Sequence, residues 1–154
     1  MFGGMIWGER LKKQGSGNRE QGTGTRLNAG RDGESWVTKE LAWGLAEEWV
    51  GAWNAHDLER IVAHYEDGVE LTSPVAARLL GTADGKVVGK DNLRAYFQRG
   101  LTAYPELNFK LEEVLWGLNS VVLYYTNQNG NRTAEFMELS AAGKVAKVVA
   151  HYNA

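Results

Sequence analysis

"SVVLYYTNQNGNRTAEFMELSAAGKVAKVVAHY", residues 120–152, is the stretch on which the fold turns. Three runs of β-branched and aromatic residues are punctuated by Asn129-Gly130 and Ala141-Ala142-Gly143, a pattern that predicts three consecutive antiparallel strands. "NFKLEEVLWGLN", just before them, predicts a fourth. Asn-Gly favours a two-residue hairpin turn, which sets Gln128 opposite Asn131 and, propagated outward, Tyr124 opposite Glu135. A second two-residue turn at Ala142-Gly143 sets Glu138 opposite Lys147, Met137 opposite Val148 and Glu135 opposite Ala150. The opposed charges of Glu138 and Lys147 favour that pairing.

Side chains alternate along a strand, so register assigns every residue a face. One face is expected to carry Val122, Tyr124, Thr126, Thr133, Glu135, Met137, Leu139, Val148, Ala150 and Tyr152. The other carries Val121, Leu123, Tyr125, Arg132, Ala134, Phe136, Glu138, Lys147, Val149 and His151. Apolar residues on both faces imply that both are covered. Helices cover one; the other, with Leu123, Tyr125, Phe136, Val149 and His151, is expected to form a homodimer interface. Glu135 and Glu138, three positions apart, separate onto opposite faces. Glu138 meets Lys147, whereas Glu135 faces apolar surroundings in which a carboxyl must be paired, protonated or functional.

Upstream the period is helical. "TKELAWGLAEEWVGAWNAHD" spaces Leu41, Leu45, Trp49 and Trp53 four apart, with Ala42 and Ala52 widening the stripe. Asp57 is placed to cap a second helix whose inner side holds Leu58, Ile61, Val62 and Tyr65. A short strand is expected over Val69 to Thr72, ending at Pro74, and "VAARLLGTADGKVVG" reads as an irregular loop. Asp91 is expected to cap a third helix with Leu93, Tyr96, Phe97, Gly100 and Leu101 inward, ended by Pro105. The sum is an α+β, cone-shaped domain: three N-terminal helices packed on a curved, mainly antiparallel sheet.

Nine of the 19 glycines fall in residues 1–36, a composition that cannot bury enough surface to order itself, so these residues are expected to be a flexible extension and 37–154 the domain. The net charge of −2 argues against nucleic acid or an anionic membrane as partner. With no cysteine, thiol chemistry is excluded, and no run approaches the ~20 apolar residues of a membrane span. A soluble, cytoplasmic protein is expected. His56, His64 and His151 share no ligand spacing, so no metal is expected. Phosphate-cradling and dinucleotide motifs are missing, and with them any support for a nucleotide cofactor. His64 sits one residue past the second helix's apolar positions, His151 on the outer face, and Trp53 and Trp116 with the core or cavity wall.

The residues "WNAHDLERIVAHYEDGVELTSP", "GKDNLRAYF" and "EFMELSAAGKVAKVVAHY" resemble the nuclear transport factor 2-like superfamily, in particular its SnoaL-like and ketosteroid-isomerase-like bacterial members. The resemblance implies that helices and the concave sheet face enclose a pocket, that the Glu135 face lines it, and that the convex face dimerises. The ketosteroid isomerases' tyrosine, general-base aspartate and protonated aspartate map onto Trp49, Ser73 and Glu135, so only Glu135 retains a carboxyl. The expected site is Glu135 with Tyr124 as the catalytic pair, and Trp49, Tyr65, Ser73, Tyr96, Phe97, Met137, Val148 and Tyr152 around an apolar ligand.

Two functions follow as expectations. One is a cofactor-independent isomerase, cyclase or dehydratase in which a desolvated Glu135, its pKa raised, moves a proton on an apolar small molecule. The other is a noncatalytic ligand-binding or dimerisation module. A cavity of ~300 Å³ or more reaching Glu135 favours a ligand, and a filled cone with Glu135 held by two partners favours the second.

Overall fold

The computed structural model describes residues 36–154; apart from Trp36, the expected glycine-rich extension lies outside them. Trp36 packs against the core and its N–H donates to the Leu118 carbonyl at 3.3 Å. Helix α1 spans Lys39–Asn54, its first turn closed by Thr38, whose side chain accepts from the Leu41 N–H. Its buried stripe is Ala42, Ala46, Trp49, Val50, Ala52 and Trp53, so the helix is rotated slightly from the expected one, with Leu41 and Leu45 at its half-buried edge. Asp57 caps α2, Leu58–Val62, as expected. Strand β1, Tyr65–Thr72, begins earlier than expected and takes Tyr65 out of the helix.

The segment read as a loop holds two elements. Pro74 does not stop the chain; it starts α3, Pro74–Leu80, with Ser73 as N-cap and Gly81 as C-cap. Proline suits the first helical position because its missing N–H has no partner to lose there. Strand β2 follows at Lys86–Val88. Helix α4, Lys90–Ala103, buries Leu93, Tyr96, Phe97 and Leu101, and its cap is Gly89 rather than Asp91, which lies in the first turn. Strands β3 (Lys110–Trp116), β4 (Ser120–Thr126), β5 (Arg132–Leu139) and β6 (Val145–Tyr152) complete one six-stranded sheet in the order β2-β1-β6-β5-β4-β3. Only β1 and β6 pair in parallel, so the sheet is mainly antiparallel as expected, although among the described residues four helices rather than three accompany it.

Both hairpin turns have three residues, not two. Around the first, Asn127 N–H donates to Asn131 O (2.8 Å), Gly130 N–H to Asn127 O (3.0 Å), and Gly130 is left-handed at φ 80°. Around the second, Ser140 N–H donates to Lys144 O (2.7 Å), Gly143 N–H to Ser140 O (2.9 Å), and φ of Gly143 is 77°. A type I turn closed by a left-handed residue is the usual three-residue hairpin loop, and glycine enters that region without Cβ strain. At the first turn Asn127 Oδ1 also accepts from the N–H groups of Asn129 and Asn131, which stabilises the longer loop.

The extra residue has different consequences at the two turns. On β6 a bulge between Leu139↔Val145 and Glu138↔Lys147 absorbs it, so Glu138–Lys147, Met137–Val148 and Glu135–Ala150 pair as expected. No such shift interrupts β4 and β5; Glu135 therefore faces Leu123, and Tyr124 faces Ala134. A one-residue slip moves a whole strand's side chains to the other face. Val121, Leu123 and Tyr125 are buried inside, while Val122 and Tyr124 are half-buried outside. Leu123 and Tyr125, expected at an outer interface, are core residues, whereas Phe136, Val149 and His151 do lie outside. Trp116, expected in the core, is exposed, as is Leu115. Among the described residues no helix is long and apolar enough to cross a membrane.

Candidate active site

The inner sheet face, α1, α3 and α4 surround a cavity of about 220 Å³. Glu135 and Thr133 of β5, Tyr125 of β4 and Tyr152 of β6 come to it from the sheet. Trp49 and Trp53 reach it from α1, Ser73 and Arg78 from the α3 segment, Tyr96 and Phe97 from α4, and the β4–β5 turn forms one rim. Glu135 is 8% exposed and accepts one hydrogen bond, from the Tyr125 hydroxyl at 2.7 Å. Burial raises its pKa to about 7 against the opposing effect of that bond. Among the described residues nothing cationic sits against it, so desolvation prevails.

The surrounding hydroxyls are neutral donors. Burial, then the charge of Glu135, raises Tyr125 well above the ordinary tyrosine range, and the same pair of causes raises Tyr152. Burial raises Tyr96 to about 12, against a weaker lowering by Ser73. Ser73 Oγ lies 3.5 Å from the Tyr152 hydroxyl but also accepts from the Val75 N–H as helix cap. A serine so engaged, with no adjacent base, is a polar wall residue rather than a nucleophile.

The register shift revises the expected site. Tyr124 is not beside Glu135: it lies on the outer face, where Arg132 Nη1 donates to its hydroxyl at 3.4 Å. Tyr125 takes the place foreseen for it. Trp49 does line the cavity, but its indole N–H donates to the Tyr65 hydroxyl at 2.8 Å and is not free for a ligand. Tyr65, Met137 and Val148 are buried behind the wall rather than lining it, whereas Ser73, Tyr96, Phe97 and Tyr152 line it as expected. Arg78, Thr133 and Tyr104 are lining residues that sequence reading passed over. Position 78 had a signal in the Ser73-Pro74 start of a helix. Thr133 was on the correct face, but its polarity alone did not mark it.

Trp53 Nε1 and Thr133 Oγ1 are buried without a hydrogen-bond partner, though Thr133 stands close enough to Tyr125 to oppose that tyrosine's raised pKa. Unpaired buried polar atoms cost stability. His56 Nε2 is 2.8 Å from the Leu107 carbonyl and His64 Nδ1 3.2 Å from that of Ile61, so both act in loop and helix-end contacts. Among the described residues no cluster of three His, Asp or Glu could hold a metal ion.

Residues 46–153 match the family model described as SnoaL-like domain. A SnoaL-like protein of unknown function from Burkholderia thailandensis is 35% identical, with a TM-score of 0.74 over 77% of this chain and 98% of that one. The fold is shared with SalBIII, an epoxide hydrolase/cyclase-like enzyme with a role in pyran ring formation in the polyether salinomycin, at 17% identity and TM-score 0.59 over 75% of this chain and 92% of that one. It is shared likewise with a proposed ketosteroid isomerase from Kribbella flavida, at 17% identity and TM-score 0.58 over 75% and 79%. No curated protein matches the chain.

Proposed function

The chain belongs to the SnoaL-like domain family of the nuclear transport factor 2-like superfamily, and from that premise we propose that it binds an apolar small molecule in the cone and moves a proton on it with Glu135. The observation that carries this reading is a buried carboxyl at a cavity wall, held by one tyrosine, with a pKa near 7. A group poised there is populated as both acid and base at neutral pH. As base, Glu135 takes a proton from a carbon beside a carbonyl; the electron pair moves onto the carbonyl oxygen, where neutral tyrosine hydroxyls are suited to stabilise it. Return of the proton at another position completes an isomerisation and regenerates the carboxylate. Cyclisation or dehydration by the same group requires only a different substrate.

The volume, about 220 Å³, is below the ~300 Å³ at the lower end of ordinary ligand sites and favours the alternative of a noncatalytic module. The single partner of Glu135 favours the enzyme. Carbon-13 titration of the Glu135 carboxyl tests the reading. The expected pKa is about 7, rising further in Tyr125→Phe because the lowering hydrogen bond is removed. An ordinary value of ~4.3 would end the acid-base role.

The outer face supports a homodimer. Thr72, Val149, Phe136, Val122 and Leu115 lie side by side across five strands, a largely apolar row beside the charged row Glu70, Lys147 and Glu138. A C2 interface needs a self-complementary patch, and this pairing of rows supplies one. Phe136→Asp, placed at the row's centre, is expected to shift sedimentation to the monomer while leaving the circular dichroism spectrum unchanged. Unaltered association would remove this face as the interface.

A further inference from the structure

Resting on the ligand-binding reading above, we propose that the ligand is an amphipathic monoanion, an apolar body bearing one carboxylate that Arg78 holds at the cavity rim while the rest enters toward Glu135. Arg78 is an exposed residue of α3 that nevertheless lines the cavity. Among the described residues it is the only Lys or Arg that lines the cavity. Its charge lowers the Tyr96 hydroxyl's pKa, so its field reaches the cavity wall.

What distinguishes it from the other described arginines is its place at the cavity: Arg99 and Arg132 also make no ion pair, and neither lines it. Arg60 pairs with Glu48, and Arg94 with Glu59 and Asp91, each within 3.5 Å. Arg78 makes no ion pair with any described residue. An arginine beside an apolar cavity and free of a protein carboxylate presents a planar fork that matches a carboxylate in two parallel hydrogen bonds. One cation matches one negative charge, which disfavours a phosphate dianion. Neutral amides from the β4–β5 turn, Asn129 and Asn131, also line the cavity and can donate to an anion through their NH2 groups. The apolar rings of Trp53 and Phe97 and the Glu135 carboxyl line the same cavity. The cavity therefore carries one fixed positive charge, on an exposed residue, and one buried titrating acid.

The test titrates the full-length chain calorimetrically with 2-naphthoate and with its uncharged counterpart, methyl 2-naphthyl ketone. At about pH 6 the naphthoate is ionised while Glu135, whose pKa is about 7, keeps its proton. In R78M, naphthoate is expected to bind about five- to tenfold more weakly, with the ketone changed less than about twofold, and R78K is expected to restore part of the loss. The naphthoate affinity of the unsubstituted chain should also fall with added salt. If R78M weakens both probes alike, or neither, the anion site is wrong while the Glu135 reading stands on ketone binding. If neither probe binds the unsubstituted chain, the ligand-binding reading itself fails, and this inference with it.

Discussion

The Glu135→Gln variant is expected to be more resistant to unfolding than the unsubstituted protein at pH 8 relative to pH 5, while losing proton-transfer activity. The folded-state pKa is raised from 4.5 to about 7, so between these values the folded chain holds a proton that the unfolded chain has released. Stability then falls as pH rises: the contribution is complete below about 4.5, is lost progressively through 7, and is flat above. At 1.36 kcal/mol per unit, the loss between pH 5 and pH 8 is about 2–3 kcal/mol. Glutamine does not ionise, so the stability difference between variant and parent should move by that amount in the variant's favour, roughly 5–10 °C in thermal midpoint. Comparing two proteins at each pH removes the contribution of every other titrating group. The same substitution should slow exchange of ketone α-protons with deuterium, measured by proton NMR, by about 10²–10⁴-fold. A glutamate that merely closes a polar gap would give the same pH-dependent difference, since burial alone raises its pKa, but no effect on exchange. That outcome would assign Glu135 to the core.

Trp49 carries the second large effect. It is 1% exposed, its ring centroid lies 5.5–5.9 Å from those of Trp53, Phe109 and Tyr125, and its indole N–H is the donor to Tyr65. Trp49→Ala removes the ring and its packing, at about 3–5 kcal/mol, a large share of the ~5–15 kcal/mol that holds a domain together. Trp49→Phe keeps a ring but leaves the Tyr65 hydroxyl buried and unpaired, at about 2–3 kcal/mol. Adding Tyr65→Phe should return about 1 kcal/mol, because removing both partners avoids the stranded polar atom. Urea unfolding of the single and double variants measures this coupling. Simple additivity would mean that the Trp49–Tyr65 bond contributes nothing beyond packing.

Much of this architecture is written locally. Asp57 and Thr38 close helices through their own side chains, and such caps need only neighbours in sequence. The strands are visible as β-branched and aromatic runs. Glu135 is correctly phased against β6 because Glu138 and Lys147 mark the pairing with opposite charges. Helix α3 was concealed because Ser-Pro serves equally to end a strand and to begin a helix; only its packing in the fold selects the second.

What the sequence by itself determined, then, is the family, the α+β order of elements and the inward acid. Each rests on interactions between near neighbours or on a charge pair that labels its own register. Tertiary structure alone decided which tyrosine meets that acid. "VVLYY" is apolar at every position, so period-two alternation offers no phase, and the strand could present either set of side chains to the core. A left-handed Gly130 and the Asn127 side chain lengthened the turn by one residue, and burial of Leu123 and Tyr125 followed. The cavity, the placement of Arg78 at it and the Trp49–Tyr65 bond are likewise products of packing, since each joins elements that are distant in the chain and carry no local mark of one another.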